Sequence, residues 1–76
     1  MLNADPDWSK MDGLLPAVVQ DAFDGRVLMV GYMNEASFLA TAETGKVTFW
    51  SRRRETLWTK GETSGHTLNF VDATLD

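Results

Sequence analysis

Apolar and polar positions along the 76-residue chain change period repeatedly, and each change predicts an element. From Leu14 to Phe23 the β-branched pair Val18 and Val19 favours a strand, with Pro16 confined to its start because proline cannot donate to a ladder. Asp24-Gly25 can supply the positive φ angles of a type I′ turn, so Arg26 to Tyr32 is expected to return antiparallel. The run Val27-Leu28-Met29-Val30 is continuously apolar instead of alternating, which predicts a strand covered on both faces.

Asn34 then has the chemistry of a helix N-cap, its side-chain oxygen accepting from free first-turn amides at a gain of about 1 kcal/mol over alanine. Met33 and Phe38 fall at the positions of a hydrophobic staple, Glu35 suits the positive helix start, and Gly45 is a stop signal. A short helix over residues 35–44 follows, with Phe38, Leu39 and Ala42 as its expected buried stripe. Lys46 to Ser51 reads as a strand with Val47 and Phe49 on one face and Thr48 and Trp50 on the other. Arg52 to Glu55 can close a hairpin onto Thr56 to Lys60, across which Trp50 and Trp58 would face each other or a ligand ring; packing in the core accounts for them equally simply. A further strand over Thr67 to Ala73 would leave a sheet edge. The order ββαβββ predicts an α+β fold, a mainly antiparallel sheet of hairpins with one short helix, in one domain over residues 1–76 whose first seven residues fray.

Composition limits how such a fold holds together. A chain this short buries a modest fraction of its surface, and without cysteine it has neither disulfides nor thiolate metal ligands. A piece of a larger fold, or an obligate oligomer, is therefore expected. The net charge of −4 argues against nucleic acid or an anionic membrane as partner. Its distribution is uneven. Residues 51–66 carry four bases and two acids, net +2, and the remainder three bases and nine acids, net −6. A locally positive site in an acidic chain suits a small phosphorylated ligand; an Arg-rich solvated hairpin tip would give the same pattern. With no apolar run of membrane-spanning length and no signal-peptide pattern, residence in the cytoplasm is expected.

Candidate chemistry is concentrated in Leu57-Trp58-Thr59-Lys60-Gly61-Glu62-Thr63-Ser64-Gly65-His66. In an extended segment Lys60 and Glu62 would point to one side, with Gly61 adding no side chain between them. Thr63, Ser64 and the amides around Gly65 could form a donor-rich nest for phosphate oxygens. The loop has neither the Walker A order nor the glycine pattern of a dinucleotide fold. His66, the single histidine, is a candidate catalytic residue with Glu62, although a lone histidine near a strand start also serves as a structural hydrogen-bonding group.

Four stretches together resemble the amino-terminal part of the phosphoribosyl-AMP cyclohydrolases of histidine biosynthesis. They are Asp12-Gly13-Leu14-Leu15-Pro16-Ala17-Val18-Val19-Gln20, Val27-Leu28-Met29-Val30-Gly31-Tyr32-Met33-Asn34, Gly45-Lys46-Val47-Thr48-Phe49-Trp50-Ser51-Arg52, and Leu57-Trp58-Thr59-Lys60-Gly61-Glu62-Thr63-Ser64-Gly65, in the family's order and spacing. The resemblance implies hydrolytic opening of the adenine ring of phosphoribosyl-AMP between N1 and C6, by a homodimer using zinc and magnesium. Zinc would lower the pKa of a bound water toward about 7 and deliver hydroxide to the ring carbon. By the same resemblance Arg52, Arg54 and Lys60 are phosphate or charge partners, Thr63, Ser64 and Gly65 form the loop that positions the substrate, and Glu62 lies near the reacting ring; Trp58, as an aromatic side chain able to stack on adenine, is a further candidate for substrate binding. Arg53 stands where the family has a small hydroxyl residue, and is not assigned a site role.

In the family, magnesium ligands come from an Asp-Cys-Asp-x-Asp stretch whose cysteine also binds zinc, and two further cysteines follow. Asp76 matches the first aspartate of that stretch, and the zinc cysteines are absent from the chain. The expectation is a truncated cyclohydrolase domain, inactive alone. A metal-free nucleotide- or phosphate-binding or dimer-pairing module derived from that enzyme is the alternative, whereas an unrelated phosphate-binding protein is disfavoured by four ordered matches. Some relatives carry a fused pyrophosphohydrolase domain at the carboxyl end.

Overall fold

The computed structural model describes residues 6–9 and 13–73, over which the element order is ββαββ. β1 (Leu15–Gln20) and β2 (Val27–Met33) form one antiparallel pair, with Val18 opposite Val30 and Pro16 opposite Tyr32. Pro16 occupies the second position of β1, next to its start. The register slips between Val19 and Gln20, which lie opposite Met29 and Val27.

That slip belongs to a wider connection than the expected type I′ turn. The Asp21 amide donates to the Arg26 carbonyl at 2.8 Å and the Gly25 amide to the Asp21 carbonyl at 2.9 Å. The Asp21 carboxylate also accepts from the Phe23 amide at 2.8 Å, and Gly25, but not Asp24, has positive φ. An aspartate that ties up its own downstream amides favours this longer loop over the two-residue turn, so β1 ends at Gln20 and not at Phe23.

Burial along β2 alternates although its sequence does not. Met29, Gly31 and Met33 are half-buried, whereas Val30 is 59 % exposed and its cross-strand neighbour Val18 57 %. The strand is therefore not covered on both faces by the described residues. The inner face meets β3 at Gly31, where a Cβ would stand 2.7 Å from two ring carbons of Phe49.

The helix α1 (Glu35–Thr44) has the expected bounds. Asn34 caps it through a reciprocal box: its Oδ1 accepts from the Ser37 amide at 2.9 Å, and the Ser37 hydroxyl accepts from the Asn34 amide at 2.9 Å. Gly45 closes it in the left-handed conformation, donating to Thr41 O at 3.0 Å. The buried stripe differs from expectation. Leu39 is 51 % exposed and Ala42 is exposed, while Ser37 and Thr41 are buried. The reason is hydrogen bonding across a close contact. The Thr41 hydroxyl accepts from the Thr48 amide at 2.9 Å, and its proton lies within reach of Ser37 O at 2.9 Å or Thr48 O at 3.2 Å. Small hydroxyl residues allow helix and strand to approach where leucine would hold them apart. Phe38 is half-buried and its ring meets that of Trp8 at 5.6 Å.

β3 (Thr48–Ser51) and β4 (Thr56–Thr59) form the second antiparallel pair, joined by the expected turn over Arg52 to Glu55. Thr48 lies opposite Thr59, Phe49 opposite Trp58 and Trp50 opposite Leu57. The two tryptophans therefore do not face each other; the four-residue turn sets a register in which Trp58 packs on Phe49, ring centres 5.1 Å apart. Phe49 is fully buried and, with Val47, forms the apolar core among the described residues.

Residues 67–73 do not form the expected strand. They run beside the start of β3, with one bridge between Lys46 and Asn69 and bonds from the Val47 amide to Leu68 O and from the Phe70 amide to Gly45 O. The Lys46 ammonium holds Asn69 Oδ1 at 2.6 Å. Gly45 and Lys46 form the bend out of the helix, so the partner backbone is extended for too few residues to sustain a ladder. Of the seven residues expected to fray, Pro6 and Asp7 are described; Asp7 accepts from the Ser9 amide at 3.0 Å. No helix among the described residues is long and apolar enough to cross a membrane.

Candidate functional site

The end of β4 and the loop after it fold back on themselves. The Lys60 amide donates to Val47 O at 3.0 Å, which ties the loop entrance to the strand start. The Glu62 amide then reaches Thr59 O at 3.0 Å and the Gly65 amide reaches Gly61 O at 2.7 Å. Lys60 to Ser64 is thus a pair of tight turns and not the extended segment on which a same-side placement of Lys60 and Glu62 was expected. Gly61 makes the turn possible. Its φ is +86°, and a Cβ there would overlap the His66 carbonyl group and lie 2.5 Å from the Thr67 amide nitrogen.

This curl creates a shallow depression of about 240 Å³. Arg54 from the β3–β4 turn, Trp58 and Thr59 from β4, and Lys60, Gly61, Glu62, Thr63 and Ser64 from the loop line it. Six of the residues expected to act together, Arg54, Trp58, Lys60, Glu62, Thr63 and Ser64, therefore share one concavity. Trp58 is half-buried and held by Phe49 behind it, which makes it a rigid wall. Two cationic side chains and one carboxylate open onto the same volume.

The donor nest is narrower than expected. The Gly65 amide is engaged by Gly61, and the His66 amide by the Ser64 hydroxyl at 3.3 Å. Among the described residues the Thr63 and Ser64 amides have no protein partner, so these two remain for an anion. Gly65 and His66 are exposed and do not line the depression. Arg52 does not line it either; its guanidinium sits over the Tyr32 ring, 4.3 Å from the centroid. Asp76 lies outside the described residues.

Two participants escape a reading of the sequence. Thr59 lines the depression and its hydroxyl is 3.1 Å from that of Thr48, whose amide is bonded to Thr41. Thr48 thus links α1, through its backbone, to the depression wall, through its hydroxyl. Its sequence signal is the register: a turn over residues 52–55 places Thr48 and Thr59 opposite each other. Tyr32 beneath Arg52 has no such signal, because the contact joins separate hairpins.

Among the described residues no group of three His, Asp or Glu side chains could hold a metal ion, and the chain contains no cysteine. The described residues do not fit a zinc site, which takes about three protein ligands besides water, nor a carboxylate cage for magnesium.

A sequence profile of the family described as phosphoribosyl-AMP cyclohydrolase matches residues 29–76. The chain belongs to the phosphoribosyl-AMP cyclohydrolase family. It is 57 % identical over 70 residues to the histidine biosynthesis bifunctional protein HisIE of Vibrio vulnificus, covering 92 % of the chain and 33 % of that protein. The corresponding protein of Salmonella typhimurium is 59 % identical over 70 residues, covering 92 % of the chain and 34 % of its own length. That of Shewanella oneidensis is 60 % identical over 65 residues, with 86 % and 31 % covered. The cyclohydrolase-family chain thus spans about a third of the length of the curated relatives it matches. The depression falls within the matched segment, as do Tyr32 and Arg52.

Proposed function

We propose that the chain binds and orients phosphoribosyl-AMP for hydrolytic opening of its adenine ring at the N1–C6 bond, a step of histidine biosynthesis. The observation that carries this reading is the convergence of Arg54, Trp58, Lys60, Glu62, Thr63 and Ser64 on one depression in a chain of this family. Trp58 offers an aromatic wall to the adenine ring. Lys60 and Arg54 supply charge-assisted hydrogen bonds to phosphate, with the Thr63 and Ser64 amides as further donors. Glu62 is the group on this surface able to take a proton from water attacking the ring carbon.

Zinc and magnesium belong to the proposal through the family resemblance alone. When bound, such ions would supply an activated water and charge stabilisation. The described residues make no site for them, and no step is assigned to a metal. A homodimer is also proposed, supported by Val18, Val27 and Val30, which stay more than half exposed.

Binding and chemistry are tested separately. With a chelator present, titration with AMP should change Trp58 emission, and Lys60→Ala should weaken binding about tenfold, the scale of a hydrogen bond to a charged group. The 76-residue chain should not hydrolyse phosphoribosyl-AMP with or without zinc. In a chimera where it replaces the matching segment of the Salmonella protein, Glu62→Gln should cut turnover about 100-fold with little change in thermal midpoint. Undiminished turnover in that chimera would remove Glu62 from the chemistry, and failure of the chain to bind AMP would overturn the proposal.

A further inference from the structure

Arg52 stands apart from the depression in a way that leaves its chemistry available. The guanidinium carbon is 4.3 Å from the centre of the Tyr32 ring, and no hydrogen bond or ion pair engages the guanidinium among the described residues. Stacking of this kind is an attraction between the cation and the ring face, so it orients the group without consuming its N–H donors. Those donors lie in the guanidinium plane and form a fork matched to two oxygens of a phosphate. Tyr32 is itself placed by β2, directly opposite Pro16, so a strand pair supports the ring beneath a side chain that comes from a turn.

The substrate proposed above is doubly anionic in a particular sense: one phosphate belongs to its AMP part and another to the phosphoribosyl group on the adenine. The depression already contains what an AMP requires, an aromatic wall in Trp58 and cations in Lys60 and Arg54. We infer that Arg52 stacked on Tyr32 is a second anion subsite, which takes the phosphate of the phosphoribosyl group, with Tyr32 as its positioning residue. The inference rests on the functional reading above and adds to it a division of labour among the arginines. Arg54 serves the AMP part and Arg52 the group that distinguishes the substrate from AMP.

The test compares dissociation constants for phosphoribosyl-AMP and AMP, in chelator so that no turnover intervenes. Tyr32→Leu should weaken phosphoribosyl-AMP about fivefold, the consequence of losing one partly exposed cation–π contact, and leave AMP within about twofold. Tyr32→Phe keeps the ring face and should restore wild-type affinity. Arg52→Gln should weaken phosphoribosyl-AMP by about tenfold or more, and the double variant Tyr32→Leu/Arg52→Gln should bind no more weakly than Arg52→Gln alone. Circular dichroism checks that each variant is folded; Arg52 is exposed in a turn, so its variant keeps the test available if Tyr32→Leu misfolds. Equal weakening of both ligands, no rescue by Phe, or an unchanged constant in Arg52→Gln would each overturn the inference. A wild-type chain that binds AMP and phosphoribosyl-AMP equally overturns the inference alone, whereas one that binds neither overturns the functional reading with it.

Discussion

Gly61 and Gly65 have nearly the same backbone conformation, φ +86° and +83°, but very different surroundings. Replacing either with alanine places a Cβ in the left-handed region at about 1–2 kcal/mol, partly offset by roughly 0.5 kcal/mol from the lower entropy of the unfolded chain. At Gly65 that is the whole effect, because nothing lies within 4 Å of the new carbon. Gly65→Ala should therefore cost about 1 kcal/mol. At Gly61 the new carbon also meets the His66 carbonyl and, at 2.5 Å, the Thr67 amide nitrogen. These are backbone atoms that cannot rotate aside, so an overpacking cost of roughly 1–3 kcal/mol is added and Gly61→Ala should total about 3 kcal/mol. The strain can be relieved only by opening the loop, which would move Lys60 and Glu62 away from Thr63 and Ser64. Urea unfolding followed by tryptophan emission measures the stability difference, and AMP titration measures the loop. Equal losses for the two variants, or Gly61→Ala with unaltered AMP affinity, would refute the claim that a pinch at Gly61 shapes the depression.

Thr41→Ala should cost about 1–3 kcal/mol in urea unfolding, since it leaves the buried Thr48 amide without its acceptor, while Thr41→Ser, which keeps the hydroxyl, should cost well under half of that. Asp7 is held below the ordinary carboxylate range by the Ser9 hydroxyl first and the Ser9 amide second. Its folded-state pKa is depressed, so its small contribution to stability is present above the unfolded value and lost as pH falls through the lowered one. A carbon-detected NMR titration should show this shift, and Ser9→Ala should move the Asp7 midpoint upward.

What could be read in the chain were features whose causes are local. The helix bounds follow from Asn34 and Gly45, which act within one turn of themselves, and the structure has the helix over residues 35–44. The second hairpin was legible for the same reason, a polar four-residue stretch between two apolar runs. Asp24-Gly25 is a strong turn signal only when no nearby group competes, and here Asp21 engages the Phe23 and Asp24 amides with its carboxylate and the Gly25 amide with its carbonyl. Lys60, Glu62, Thr63 and Ser64 were legible as neighbours because one short loop carries them.

Contacts between elements were decided by the tertiary structure. Nothing local distinguishes Thr41 from Leu39 as the residue α1 buries; hydrophobicity favours leucine, and the choice reverses only because the Thr48 backbone lies where a hydroxyl can meet it. The residues after His66 have the composition of a strand, yet they find beside them only the short stretch Gly45-Lys46-Val47 that leaves the helix, so one bridge forms instead of a ladder. The separation of Arg52 from Arg54 is of the same kind. The sequence determined that basic side chains stand at a hairpin tip beside a glycine-pinched loop. Which arginine lines the depression and which rests on Tyr32 depends on how two hairpins pack, and their packing is set by the close approach of Phe49 to Gly31.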